Sequence, residues 1–182
     1  MEDRRIKYTK LVLKNSLMEL MKLKPLNQIS ITEICKRADV NRNTFYQHYA
    51  SPYDLFSVVE NELLDKLNSA IENEKNIEKL ILKICETLKE NKEFSEIIFS
   101  QADGNQFIKK VLTFAQKIKG FKQSGQSTAV YLKNLYIFIE AGVLAIIKEW
   151  VISGFQESPK VLSGTIFSII SVMDNLLLKY NI

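Results

Sequence analysis

Residues 41–49 read Asn-Arg-Asn-Thr-Phe-Tyr-Gln-His-Tyr. Within them lie a guanidinium (Arg42), two carboxamides (Asn43, Gln47), a hydroxyl (Thr44), a phenol (Tyr46) and an imidazole (His48). Arginine presents two donors that fit guanine O6 and N7, and Asn or Gln pairs with adenine through one donor and one acceptor. A helix from Arg42 to about His48 turns Phe45 and Tyr49, four apart, inward and leaves the polar groups outside. On an ordinary helix surface the same groups would only be solvated, and for Gln47 the two readings weigh equally. Nothing comparable points to catalysis. The chain has one His and two isolated cysteines, Cys35 and Cys85, and neither a glycine-rich phosphate loop nor a nucleophile elbow. We therefore expect no enzyme, no metal and no cofactor.

The flanking residues supply the elements that would hold such a helix. Ser30 and Glu33, three apart, form a capping box at the start of a helix. Ile31, Ile34 and Ala38 then share one face. Asp39 suits a left-handed helix stop, and Asn41 is a good N-cap for the next helix. Thr32, in the first turn after Ser30, lies where backbone N–H groups point outward and suit a phosphate. Ser51 and Pro52 cap and open another helix. Upstream, Ile6, Leu13, Leu17, Leu20 and Met21 mark a helix over 4–24, ended by Pro25. These elements make a three-helix unit closing near residue 49, with Leu26, Ile29, Ile31, Ala38 and Val40 also in its core. A helix, a tight turn and a second helix with a hydrogen-bonding outer face describe a helix-turn-helix DNA reader.

The remainder reads as more helix: 52–72, 77–90, 94–101, 105–118, 128–153 and 159–179, with a loop-like stretch at 119–127. About nine helices and no strand alternation make the chain all-α. Six Gly and three Pro in 182 residues, 46% of them apolar, suit long helices around a sizeable core. The N-terminus is charged and no apolar run could span a bilayer, so a cytoplasmic protein without membrane contact is expected. Residues 1–56 hold ten Lys/Arg against six Asp/Glu, and the rest hold fifteen of each, so the whole +4 lies with the candidate reader. A basic segment attracts a polyanion, and Lys36 and Arg37 add to that.

The pattern Ile34, Ala38, Val40, Thr44-Phe45-Tyr46 and His48-Tyr49, followed by Leu55, resembles the DNA-binding domain of the tetracycline-repressor (TetR) family. Trp150 and Gly154 with Ser158-Pro159 resemble one branch of its C-terminal domains. The resemblance implies a three-helix DNA-binding domain over 1–51 and a larger helical effector and dimerisation domain over 52–182. It also implies that Thr44, Tyr46 and His48 contact mostly phosphate and thymine methyl. Three positions depart from the pattern. Asp39 replaces a Gly, Cys35 an Ala, and Pro52 a Lys that commonly grips phosphate.

The expected protein is thus a homodimeric regulator, a repressor on a palindromic double-stranded operator, released by a small-molecule effector. The effector must favour a separation of the two reading heads that no longer spans both half-sites. Aromatic residues of the second domain, Phe99, Phe107 and Tyr136, and the carboxylate Glu140 within an apolar helix, are the candidate effector contacts. Trp150, Ile166, Ile170, Met173 and Leu177, on the two most apolar helices, are the candidate dimer interface. The alternative is a helical interaction or activator-type protein of the same fold that acts through a protein partner.

Overall fold

The computed structural model describes residues 4–101, 107, 110 and 126–179, with side chains except those of 126–133, 136 and 173–179. Among the described residues the chain forms α-helices and one 3₁₀ turn, and no strand. The elements are α1 (Arg4–Met21), a 3₁₀ turn (Leu26–Gln28), α2 (Ile31–Ala38), α3 (Arg42–Tyr46), α4 (Pro52–Ile71), α5 (Ile77–Glu90), α6 (Lys92–Ser100), α7 (Gln126–Ile152) and α8 (Pro159–Lys179). The chain divides into two compact units, Met1–Leu63 and Leu64–Ile182. The division falls inside α4.

In the first unit, Leu13, Leu17, Leu20, Met21, Leu26, Ile29, Ile34, Phe45 and Tyr49 are buried as their spacing predicts. Ile6 is not. It is 36% exposed, because Arg4 to Tyr8 are exposed on every side and no packing face exists there. α1 also stops at Met21 rather than Lys24. The N–H groups of Leu23 and Lys24 both donate to the Leu20 carbonyl, at 3.0 and 3.1 Å, and close the helix before Pro25 imposes its own restriction. Lys14 Nζ meets Glu62 Oε2 at 2.7 Å and ties α1 to α4.

The turn between α2 and α3 rests on Asp39, which sits at φ 53° and ψ 46°. Its N–H and that of Val40 both donate to the Cys35 carbonyl, the pattern of a helix that ends on a left-handed residue. Glycine reaches this conformation without penalty, whereas an L-residue pays and Asp pays less than most.

In the second unit, α5 packs along α8, and α6 packs on α7. α5 keeps the bounds its spacing predicts and buries Leu80, Ile81, Ile84, Cys85 and Leu88. Ser95 Oγ donates to the Leu88 carbonyl at 2.9 Å, joining the first turns of α6 to the end of α5. The corner between α7 and α8 is a Schellman motif. Phe155 N–H donates to the Trp150 carbonyl at 2.9 Å, and Gly154 N–H to that of Val151 at 3.1 Å. Gly154 lies at φ 87° and Phe155 at φ 62°. The Phe155 ring stands edge-on to Trp150 with centroids 4.6 Å apart, and Trp150 Nε1–H donates to the Glu157 carbonyl at 3.1 Å. Ser158 Oγ accepts from Val161 N–H at 3.2 Å and caps α8. The expected helix over 105–118 lies outside the described residues, apart from 107 and 110.

The αL stop gives a direct test. Asp39→Val should lower the stability of the folded chain by about 1–2 kcal/mol in urea unfolding, because a β-branched residue bears the left-handed conformation worst. Asp39→Gly should stay within about 1 kcal/mol of the parent, since strain relief and lost unfolded-state restriction oppose each other.

Candidate nucleic-acid interface

α2 starts on a complete capping box. Ser30 N–H and its hydroxyl both reach Glu33 Oε2, at 2.9 and 2.8 Å, and Glu33 N–H reaches Ser30 Oγ at 3.3 Å. Lys24 Nζ adds a contact to Glu33 Oε1 at 2.6 Å from the preceding connection. That ammonium first, then the Ser30 N–H and hydroxyl, hold the Glu33 carboxyl down at about 2. The box engages the N–H groups of residues 30 and 33. Those of Ile31 and Thr32 have no partner within the helix and lie beside the exposed Thr32 side chain.

α3 is five residues long and is held at both ends. Asn41 Oδ1 accepts from Asn43 N–H at 2.8 Å. The N–H groups of His48 and Tyr49 both reach the Phe45 carbonyl at 2.9 Å, a tightening that ends the regular helix at Tyr46 instead of His48. Phe45 is fully buried. Its ring meets Tyr49 at 5.8 Å and stands edge-on to Tyr46 at 6.0 Å. This inward anchor leaves Arg42, Asn43, Tyr46 and Gln47 exposed, with Thr44 and His48 half-buried at the edges. Every sequence-predicted reading residue therefore has side-chain surface open to solvent, and six of the seven lie together over residues 42–48.

The surroundings modify the charge of this surface. Lys36 and Arg37 are exposed on α2, and Arg37 Nη2 lies 3.7 Å from Glu19 Oε2. Burial pushes the Cys35 thiol up, so it behaves as a small apolar group under α2. At the start of α4, Pro52 opens the helix, Ser51 Oγ accepts from Asp54 N–H at 3.2 Å, and Asp54 Oδ2 accepts from Ala50 N–H at 2.9 Å. A carboxylate thus occupies one donor at the helix start that an incoming phosphate would otherwise use.

The other predicted residues are placed less uniformly. Phe99 and Phe107 are both 1% exposed and meet edge-on with centroids 6.2 Å apart. Glu140 is half-buried on α7, and the Tyr136 side chain lies outside the described residues. Trp150 and Ile166, expected at a dimer interface, are 2% and 0% exposed within one protomer. Their surface is covered within their own chain. Ile170 is half-buried, and the side chains of Met173 and Leu177 lie outside the described residues. Among the described residues, no group of His, Cys, Asp and Glu could hold a metal, and no helix is long and apolar enough to cross a membrane.

Sequence reasoning missed Asn68. Its Oδ1 is buried and accepts no hydrogen bond. The signal was present in the spacing, since Leu64, Leu67, Asn68 and Ile71 share the inward face of α4.

Residues 75–172, more than half of the chain, match the family model TetR_C_8, described as a transcriptional regulator C-terminal region. The chain belongs to the TetR family of transcriptional regulators. No curated protein matches it in sequence. Solved structures similar in fold include the following three. One is the dihydroxyacetone kinase operon activator DhaS, 21% identical over 92% of this chain and 97% of that one, with TM-score 0.54. Another is a transcriptional regulator (TerR/AcrR family) from Aquifex aeolicus VF5, 20% identical over 91% and 99%, with TM-score 0.60. The third is the fatty acid degradation regulator FadR from Bacillus halodurans, 14% identical over 93% and 95%, with TM-score 0.56.

The capping box makes the first unit of this TetR-family protein acid-sensitive in a definite direction. Glu33 has its carboxyl lowered from 4.5 to about 2, so the box contributes fully above pH 4.5 and is lost as pH falls toward 2. Following helix content from pH 5 to 2, the parent should lose stability across that window. Glu33→Gln should be less stable than the parent at pH 6 and should lack this component of the pH dependence.

Proposed function

We propose that the protein is a homodimeric transcriptional repressor that holds a two-fold DNA operator through α3 and releases it when a small molecule binds the second unit. One observation carries this reading: a short helix pinned from behind by a fully buried Phe45, with Arg42, Asn43, Tyr46 and Gln47 all turned to solvent. Arg42 and Asn43 read base edges. Gln47 reads an adenine edge beside them. Thr44, Tyr46, His48 and Thr32 contact phosphate and sugar and set the register. The protein acts by binding rather than catalysis, in the cytoplasm, with residues 1–51 reading DNA and 52–182 serving the effector and the dimer.

Dimerisation uses the apolar surface that α7 and α8 leave exposed. On α7, Phe138, Ala141, Gly142, Ala145 and Ile152 recur at helical spacing, with Phe138 at 63% and Ile152 at 50% exposure. On α8, Val161, Thr165, Ile169 and Val172 do the same, and Val161 and Val172 exceed 55%. Exposed apolar stripes on two long helices suit an isologous contact in which each protomer covers the other. A two-fold dimer then presents two copies of α3 to half-sites about one helical turn, or a multiple, apart.

A second reading has its own support. Pro52 and the Asp54 carboxylate weaken the phosphate grip at the start of α4, which favours a helical interaction protein working through a protein partner. The fold also serves activation, since DhaS is named an operon activator.

Fluorescence anisotropy on labelled duplex decides between these readings. The protein should bind random duplex at low salt, with affinity falling steeply as salt rises. No binding at low salt would overturn the regulator reading. On an operator selected from random duplexes, Arg42→Ala should cost about 1–3 kcal/mol and relax specificity at the contacted base. For the dimer, Phe138→Glu should sediment as a monomer at concentrations where the parent is a dimer, and should weaken operator binding more than random-duplex binding. An unchanged sedimentation coefficient would exclude α7 from the interface.

A further inference from the structure

We infer that DNA binding is coupled to uptake of a proton by His48, so that the protein holds DNA more tightly as its medium turns mildly acidic. The inference rests on the DNA-binding reading above and adds a control to it. The chain has one histidine, and it lies at the edge of the surface that Arg42, Asn43, Tyr46 and Gln47 form. Histidine is the only side chain that ordinarily changes charge between pH 5 and 8. The thiols, which come next, are both pushed up by burial. A proton exchanged by a side chain in that range therefore points to this one residue.

The local geometry holds the imidazole in place and leaves its nitrogens uncommitted. The N–H groups of His48 and Tyr49 both donate to the Phe45 carbonyl, which fixes the backbone. The half-buried ring stands edge-on to that of buried Tyr49, with centroids 6.3 Å apart. Among the described residues, no hydrogen bond or ion pair reaches the imidazole. The charged groups on the elements around it are Arg42 on α3, Lys36 and Arg37 on α2, Asp39 in the turn and Asp54 at the start of α4. Arg37 leans toward Glu19 of α1, and Asp54 is held by Ala50 N–H. No carboxylate is bonded to the ring, so an anion that favours its charged form has to come from outside.

A DNA phosphate is such an anion. A protonated imidazole donates from both nitrogens, a neutral one from a single nitrogen, and a bond between opposite charges is roughly twice as strong as a neutral one. Phosphate thus favours the charged form of a neighbouring imidazole. Binding and protonation reinforce each other, and affinity falls as pH rises. One proton per reading head changes affinity at most about tenfold per pH unit. The fold does not interfere between pH 5.5 and 7.5, because the Glu33 carboxyl, held at about 2, keeps the capping box ionised there.

Fluorescence anisotropy of the full chain on labelled random duplex, at pH 5.5 and 7.5 over a range of salt, tests this. The parent should bind about three- to tenfold more tightly at the lower pH. Its logarithmic salt slope should also be steeper there, by up to about 0.9 per head, since one more phosphate is neutralised. His48→Gln, which hydrogen-bonds without titrating, should lose most of the pH dependence. His48→Lys, charged throughout, should show at pH 7.5 the steeper slope that the parent shows only in acid. Equal affinity and equal slope of the parent at both pH values would overturn the coupling and leave DNA binding standing, and that comparison needs no variant. A pH dependence that survives in both variants would place the proton elsewhere and overturn it too. Absence of binding at either pH in low salt would overturn the DNA-binding reading, and the coupling with it.

Discussion

The buried ring of Phe45 is the constraint on which the candidate interface depends. α3 is a five-residue helix, far below the length at which a helix stands alone in water. It exists because its inward side is anchored, and the anchor also fixes its rotation. With Phe45 at zero exposure and Tyr49 at 6%, residues 42, 43, 46 and 47 have only the outward direction left. Everything around that anchor sharpens it. Asn41 fixes the entry, the doubled hydrogen bond to the Phe45 carbonyl fixes the exit, and Asp39 sets the bend from α2. The polar groups that α3 turns outward are therefore fixed by an aromatic side chain that is itself wholly buried.

The two units are held by different means. In the first unit the stabilising contacts lie mostly close in sequence: Ser30 with Glu33, Asn41 with Asn43, Ser51 with Asp54, Lys24 with Glu33. Such contacts form early and need little loop closure. The second unit is held by burial along long helices, and its buried Ser and Thr hydroxyls are tucked against carbonyls. The two cysteines follow that logic. Burial raises both thiols, Cys85 to about 12, so neither is a nucleophile near neutral pH.

The features legible in the sequence were local. Caps at Ser30, Asn41 and Ser51 were readable because a cap is a relation between residues two or three apart. The α5 bounds followed from its apolar stripe. The outward face of α3 followed from the spacing of Phe45 and Tyr49. The features that were not legible depended on neighbours distant in sequence. Ile6 continues an apolar pattern but has nothing to pack on. The burial of Trp150 and Ile166 within one protomer is set by helices distant in sequence. The family resemblance, drawn from residues 30–56, agrees with a family match that lies elsewhere, over residues 75–172.

The corner between α7 and α8 has an optical consequence. Trp150 is the single tryptophan of the chain, and it is locked by an edge-on phenylalanine and a hydrogen bond from its indole N–H. Light absorbed selectively by indole therefore reports on this one joint. Its emission follows the joint's hydration and leaves the opening of α1–α3 unseen. The protein thus carries a built-in spectroscopic label in one unit only, so melting curves read by tryptophan emission and by helix content need not coincide.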